Sequence, residues 1–280
     1  MSTIAILGAG EIGGALARQL AASDVVSRLV LIDDQGSVAA GKALDVAQAG
    51  PVDRYSTSLS GTNDVSAVTG VKVVVFADRF GPAGEWRGEE GLALLKRVAG
   101  LNQVAFFICA GTDQQLLIER GVGELSIARK RLFGSAPEAL RSAVVMLAAL
   151  EAKAAPTDVS LSVLGRPQQA IVPWDEGSIA GRSAPQVLTA AQLARLNARI
   201  TKLWPPGPTA LAGAATRLIR SALTRSPRVH TALVALTREE GTVGRSAMLP
   251  LTLSPGGIDQ LVSPALSTRD RVRLDSALRA

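Results

Sequence analysis

The 280-residue sequence is poor in the residue types from which many catalytic and structural sites are built. It has one cysteine, Cys109, which excludes an internal disulfide and a zinc site built from cysteines. It has one histidine, His230, which excludes any site that needs two imidazoles. Aromatic residues make up 3% of the chain, so stacking platforms for single-stranded nucleic acid are hard to build.

Long apolar runs are also missing. No stretch of 18 apolar residues appears, which argues against a spanning helix. The first ten residues, MSTIAILGAG, lack a basic region and are interrupted by glycines, so they do not resemble a secretory signal. With 47% apolar and 19% charged residues the composition is that of a globular protein, and we expect it to be cytoplasmic.

The net charge of +6 is unevenly distributed. Residues 181–280 contain 14 basic and 5 acidic residues, whereas the rest of the chain is slightly acidic. A basic region can attract nucleic acid or small anionic metabolites. We interpret it mainly as a solvated arginine surface, which disfavours nucleic acid and leaves an anionic metabolite open as a partner.

In the first half, short apolar runs alternate with amphipathic segments. The pattern predicts strands at 3–7, 28–32, 71–77 and 104–109, and helices at 11–22, 37–49, 89–99 and 113–120. Because these strands are continuously apolar, they suit a parallel sheet covered on both faces. The predicted fold class is therefore α/β, with a Rossmann-type, doubly wound parallel sheet.

The pattern changes near Gly134. Beyond it we predict helices at 138–153, 189–202 and 209–223, strands at 158–164, 229–237 and 248–253, and a last helix capped by Ser267 and Asp270. We therefore predict a dinucleotide-binding domain over residues 1–134, and an α+β substrate and oligomerisation domain over residues 135–280.

The first strand runs into a GxGxxG motif, Gly8-Ala9-Gly10-Glu11-Ile12-Gly13. Its glycines permit a tight turn and close approach of a pyrophosphate to a helix N-terminus. Asp33, about twenty residues beyond, suits the ribose hydroxyls and favours NAD over NADP. The candidate cofactor-binding residues are Gly8, Gly10, Glu11, Ile12, Gly13 and Asp33. The alternative is a capped glycine turn without a ligand.

These residues resemble the lactate/malate dehydrogenase family. The resemblance continues through segments of both halves: GKALDV (41–46), VVVFA (73–77), GEWR (84–87), VLGRPQQAIVP (163–173) and GAATRLIRSAL (213–223). It implies hydride transfer between NAD and a 2-hydroxy acid. It also implies a histidine, oriented by an aspartate, that exchanges the hydroxyl proton, and two arginines that hold the substrate. Members of the family are commonly homodimers or homotetramers.

By the family spacing, Arg87 matches the arginine of the mobile loop and Arg141 matches the arginine that clamps the substrate carboxylate. Glu138 stands where the family has the aspartate that orients the histidine. These three are the candidate catalytic residues. The alternative is a solvated Arg87 and an ordinary surface pair between Glu138 and Arg141, which lie three residues apart.

Further positions also depart from the family pattern. Pro167 stands where the resemblance places the catalytic histidine, and its ring cannot carry a proton. The family's Asn-Pro pair after the strand ending at Cys109 is Ala110-Gly111 here, and a family glycine is replaced by Asp78. If Asp78 points toward the pyrophosphate it weakens NAD binding, and if it points to solvent it does not.

The sequence therefore predicts a lactate/malate dehydrogenase-like protein that binds NAD(H) and in which the family reaction is very weak or lost. The alternative is an active NAD-dependent oxidoreductase that acts on a 2-hydroxy acid, or on another anionic substrate, through a proton route without histidine. No metal site is predicted, and His230 is interpreted as a structural residue of a strand away from the reaction centre.

Overall fold

The protein is described by a computed structural model that covers residues 2–23, 25–82 and 84–279. Six parallel strands occupy its first half, in the spatial order β3-β2-β1-β4-β5-β6. They are β1 (Thr3–Leu7), β2 (Arg28–Ile32), β3 (Ser58–Thr62), β4 (Val73–Phe76), β5 (Phe106–Cys109) and β6 (Leu132–Gly134). This is the strand order of the doubly wound dinucleotide-binding fold, so the predicted fold class is confirmed.

Helices cover both faces of this sheet because successive strand residues point to opposite sides. In β1, Ile4 and Ile6 enter one apolar core, and Ala5 and Leu7 enter the other. The helices are α1 (Glu11–Ala21), α2 (Gly36–Asp53), α3 (Gly88–Leu101) and α4 (Gln115–Gly123). Each lies within a few residues of its predicted bounds.

The second half extends the same sheet with antiparallel strands, in the order β6-β12-β13-β8-β9. Its strands are β7 (Val159–Ser160), β8 (Leu164–Arg166), β9 (Gln169–Ile171), β10 (Ser178–Ile179), β11 (Arg182–Ser183), β12 (His230–Ala235), β13 (Ser246–Ser254) and β14 (Gly257–Leu261). Its helices are α5 (Ala136–Ala152), α6 (Ala184–Val187), α7 (Ala190–Ile200), α8 (Pro208–Thr224) and α9 (Thr268–Arg279). The domain boundary at Gly134 stays a prediction.

The predicted strand at 158–164 was wrong. Residues 161–163 form no strand, and the segment divides between β7 and β8, which belong to different sheets. The sequence pattern also missed β3, whose residues SLSGT are small and polar. A glycine is required in β3 because a Cβ on Gly61 would overlap the backbone of Ala39 in α2.

The described parts of the chain contain no helix that is both long and apolar enough to cross a membrane. The carboxyl ends of β1, β4 and β5 lie side by side in the sheet. The chain reverses its winding direction between β1 and β4, which is where open α/β sheets bind ligands.

Candidate functional site

The glycine-rich loop joins β1 to α1 in a tight turn. Gly8 has φ +116° and donates its N–H to the carbonyl of Ile32 at 2.7 Å. A Cβ on Gly13 would overlap the carbonyl of Gly8, so the helix approaches the strand only because residue 13 is glycine. The amides of α1 therefore begin directly at the edge of the sheet, as the motif predicts.

Asp33, the predicted ribose ligand, is buried and is held by backbone amides. Its Oδ2 accepts hydrogen bonds from the amides of Ala9 at 2.7 Å and Phe80 at 3.0 Å, and its Oδ1 accepts one from Gln35 at 3.0 Å. The carboxylate is 2% exposed. The amides of Ala9, Gln35 and Phe80 therefore use acceptor positions of the carboxylate that a ribose would need.

Asp78 follows β4, and its carboxylate lies at the start of α1, against the amides of the glycine-rich loop. Its Oδ2 accepts from the amide of Glu11 at 2.7 Å and its Oδ1 accepts from Gly13 at 2.9 Å, while its main-chain carbonyl accepts from Gly10 at 2.8 Å. A Cβ on Gly10 would overlap the Asp78 carboxylate. The negative charge caps the positive end of α1, where a dinucleotide phosphate would lie.

The residues after Asp78 pack into the same cleft. The Arg79 guanidinium lies 4.3 Å from the centroid of the Trp86 ring and 2.9 Å from Glu90 Oε2. Trp86 is 8% exposed and donates its indole N–H to the carbonyl of Leu7 at 3.2 Å. We name residues 78–82 and 84–86 the cleft segment. Two of its residues, Asp78 and Trp86, are bonded to β1 and the loop that follows it.

Glu85, also in the cleft segment, binds the loop after β5. Its carboxylate accepts from the amides of Thr112 at 2.9 Å and Asp113 at 2.8 Å. Burial raises the pKa of Glu85, and the charges of Asp113 and Asp78 act in the same direction against the lowering effect of the two amides. A Cβ on Gly111 would overlap the Glu85 carboxylate.

Arg87, the predicted loop arginine, lies on the surface at the start of α3. Its guanidinium is 2.9 Å from the carboxylate of Asp113, and the two side chains are 63% and 58% exposed. An exposed pair of this kind stabilises the fold little, so Arg87 can exchange partners.

The candidate residues Glu138, which is buried, and Arg141, whose side chain is 14% exposed, form an ion pair near the start of α5. Two bonds join them, Arg141 Nη2 to Glu138 Oε1 at 2.6 Å and Arg141 Nε to Glu138 Oε2 at 2.9 Å. These two predicted site residues are therefore in contact. The two N–H groups of Arg141 that would bind a substrate carboxylate donate to Glu138 instead.

Glu138 has further partners from the second half of the chain. Its Oε2 accepts from the amide of Thr231 at 2.9 Å, and its Oε1 lies 3.4 Å from His230 Nδ1 and 3.6 Å from Arg217 Nε. Burial alone would raise the pKa of Glu138, but hydrogen bonds from His230 and Arg141 lower it to about 2. The carboxylate is therefore ionised at neutral pH.

His230 is confirmed as a residue of a buried strand, but it is not remote from the candidate site. It begins β12 and is 1% exposed. Its Nδ1 faces Glu138, and its Nε2 lies 2.7 Å from Ser221 Oγ in α8. Both ring nitrogens are engaged inside the protein, which leaves none for a substrate.

Pro167 lies with Gln168 in the tight turn between β8 and β9. The proline is buried, and its side chain offers no donor or acceptor. Beside it, the Nε of Arg166 is buried without a hydrogen-bond partner among the described residues. The hairpin therefore has a guanidinium at residue 166 and, at residue 167, no side chain that can exchange a proton.

Comparison with known proteins places this geometry in a family. Residues 2–101 match the family described as lactate/malate dehydrogenase, NAD binding domain. The malate dehydrogenase of Thioalkalivibrio sulfidiphilus is 26% identical in an alignment of length 296, gaps included. The alignment covers 99% of this chain and 96% of the relative. The malate dehydrogenase of Thermomicrobium roseum is 24% identical, and the alignment covers 99% of this chain and 95% of the relative. Over its whole length the chain is similar to the lactate/malate dehydrogenase family.

Solved structures of the family have the same fold. The malate dehydrogenase of Salinibacter ruber superposes with a TM-score of 0.86 at 17% identity, covering 98% of this chain and 93% of that one. The lactate dehydrogenase of Cryptosporidium parvum was solved with lactic acid and nicotinamide adenine dinucleotide. It superposes with a TM-score of 0.85 at 19% identity, covering 99% of this chain and 94% of that one.

Residues 2–101 thus form an NAD-binding domain of the type found in this family. The loop offers the amides and the acidic residue that a dinucleotide requires. In this conformation, however, Gly10, Glu11 and Gly13 donate to Asp78, and Asp33 is covered by Phe80. The Asp78 carboxylate therefore uses the amides to which a dinucleotide phosphate would bind.

Sequence reasoning left the direction of Asp78 open and missed the pairing of His230 with Glu138. The direction of Asp78 had a signal in the sequence, because a carboxylate that follows β4 is within reach of the α1 amides. No sequence signal identified the second, since the two residues are 92 positions apart.

Proposed function

We propose that this protein is a lactate/malate dehydrogenase-like protein in which oxidation of 2-hydroxy acids is very weak or lost. The observation that carries the proposal is the ion pair of Glu138 and Arg141, in which Arg141 donates from Nε and Nη2 to Glu138 and the same carboxylate faces His230. The residue types of the family site are partly retained, but they are used to hold the fold together.

The family reaction needs a group that takes up and returns a proton at the substrate hydroxyl. Pro167 has no such group. His230 is 1% exposed and has Glu138 on one ring nitrogen and Ser221 on the other. General acid–base catalysis contributes about 10²–10⁴-fold to rate, so we expect at least that loss.

Substrate binding is weakened by the same arrangement. A bidentate pair with a substrate carboxylate requires a free guanidinium fork. Arg141 donates from Nε and Nη2 to Glu138 and from Nη1 to the carbonyl of Leu161 at 3.4 Å. The guanidinium groups of Arg217 and Arg228, which line a cavity together with Arg141, remain to meet an anion there.

The test is reduction of pyruvate and of oxaloacetate by NADH, followed by absorbance. The malate dehydrogenase of Thioalkalivibrio sulfidiphilus, assayed at equal concentration, is the positive control. We expect kcat at least a hundredfold below that control. Turnover within tenfold of the control contradicts the proposal and favours an active oxidoreductase with another proton route.

A further inference from the structure

We propose that Asp78 is an internal anion that occupies the pyrophosphate position of the dinucleotide cleft, so that NADH binding and the closed cleft segment exclude each other. The inference rests on the dinucleotide cleft of the NAD-binding domain. It does not depend on the loss of hydride transfer, because a closed cleft would regulate an active enzyme equally well.

The first argument is the use of hydrogen-bond donors. The pyrophosphate of a dinucleotide binds to amides at the start of the helix after the glycine-rich loop. Here the amides of Glu11 and Gly13 donate to the Asp78 carboxylate, and the amide of Gly10 donates to the Asp78 carbonyl. An incoming phosphate would find these donors taken and a carboxylate in its path.

The second argument is steric. Two glycines of the cleft have no room for a Cβ, and in each the nearest obstacle is a carboxylate of the cleft segment. Gly10 faces the carboxylate of Asp78, and Gly111 faces that of Glu85. Residues 78 and 110–111 are also positions where the sequence departs from the family. These departures together accommodate the closed segment.

The third argument is that the cleft segment is held at several points. Phe80 donates its amide to Asp33 at 3.0 Å, and Trp86 donates to Leu7 at 3.2 Å. Lys42 donates to the carbonyl of Gly10 at 2.8 Å and lies 5.6 Å from the Phe80 ring. Contacts of the same segment therefore engage both the predicted ribose ligand and the amides at the start of α1.

A closed segment lowers apparent affinity without altering the cradle. When only a fraction of the molecules is open, the measured Kd equals the intrinsic Kd divided by that fraction. Removing the internal anion should raise the open fraction. We therefore expect Asp78→Asn and Asp78→Gly to bind NADH at least tenfold more tightly than the unmodified protein.

The experiment is calorimetric titration of NADH into the full chain and its variants. Asp78→Asn keeps the size of the side chain and one acceptor oxygen, so it is expected to fold even if Asp78→Gly does not. Asp259→Asn, an exposed aspartate on β14, is the matched control for the loss of one charge. Its Kd should equal that of the unmodified protein.

Two results would overturn the inference. One is equal NADH affinity in all four proteins, which would mean that the segment does not compete. The other is no binding by either Asp78 variant when circular dichroism confirms that the Asn variant is folded. Turnover of 2-hydroxy acids by the unmodified protein would refute the proposed loss of catalysis but would leave this comparison of affinities intact.

Discussion

Replacing Glu138 by Gln should destabilise the protein strongly, although the two side chains have nearly the same shape. Glu138 carries a buried charge that is balanced by Arg141 and bonded to the amide of Thr231. Glutamine has only one acceptor oxygen, and the N–H groups of its amide would face the Arg141 guanidinium, which is also a donor. The substitution therefore leaves the Arg141 charge buried without a counter-ion.

The magnitude follows from the pKa of Glu138, which falls from 4.5 to about 2 on folding. At about 1.4 kcal/mol per pKa unit, ionised Glu138 contributes roughly 3 kcal/mol to the free energy of unfolding at pH 7. Breaking a buried ion pair by removing one partner typically costs about 3–5 kcal/mol, which agrees. Because the folded pKa is lowered, the contribution is complete above pH 4.5 and is lost as pH falls toward 2.

Urea unfolding, followed by tryptophan fluorescence, tests this reasoning. Glu124→Gln is the matched control, since Glu124 pairs with Arg120 on the surface at 53% exposure. We expect Glu138→Gln to lower the free energy of unfolding far more than the control at pH 7, and the deficit to shrink by about half at pH 3. A deficit equal to that of the control, or one that does not change with pH, would refute the reasoning.

Three further outcomes are expected. Asp78→Asn should lower the free energy of unfolding by about 1 kcal/mol without dinucleotide, since it weakens the cap on the amides of Glu11 and Gly13; unchanged urea unfolding would contradict this. Burial raises the pKa of the Cys109 thiol, so it should resist alkylation at pH 8 until the protein is denatured, and rapid labelling of the native protein would argue against it. Leu150 is 68% exposed on α5, so in a homo-oligomer formed through this helix Leu150→Glu should lower the mass measured by light scattering, and an unchanged oligomer would disprove that interface.

The sequence was sufficient to predict the Rossmann half of the fold because its strands are continuously apolar and its helices amphipathic. Strand β3 escaped notice because its residues are small and polar, and its position depends on the close contact of Gly61 with α2. Strand β6 has only three residues, too few to show a period. The segment 158–164 alternates in polarity, yet it divides between two sheets, which only the tertiary structure decides.

For the candidate site, the sequence indicated one contact along a helix but none of those between distant segments. Spacing along α5 correctly brought Glu138 and Arg141 together, because residues three apart lie on one face of a helix. Spacing could not reveal that Thr231 and His230 meet Glu138 from β12, nor that Asp78 turns inward to the α1 amides. Those contacts depend on which strands become neighbours in the sheet.

The measurement that tests the account most directly is a crystal structure of the unmodified protein grown with excess NADH. The account predicts that each molecule contains either Asp78 on the amides of Glu11 and Gly13 or a dinucleotide pyrophosphate there, with the cleft segment displaced. A structure with NADH in the cleft and Asp78 still bonded to both amides would contradict it.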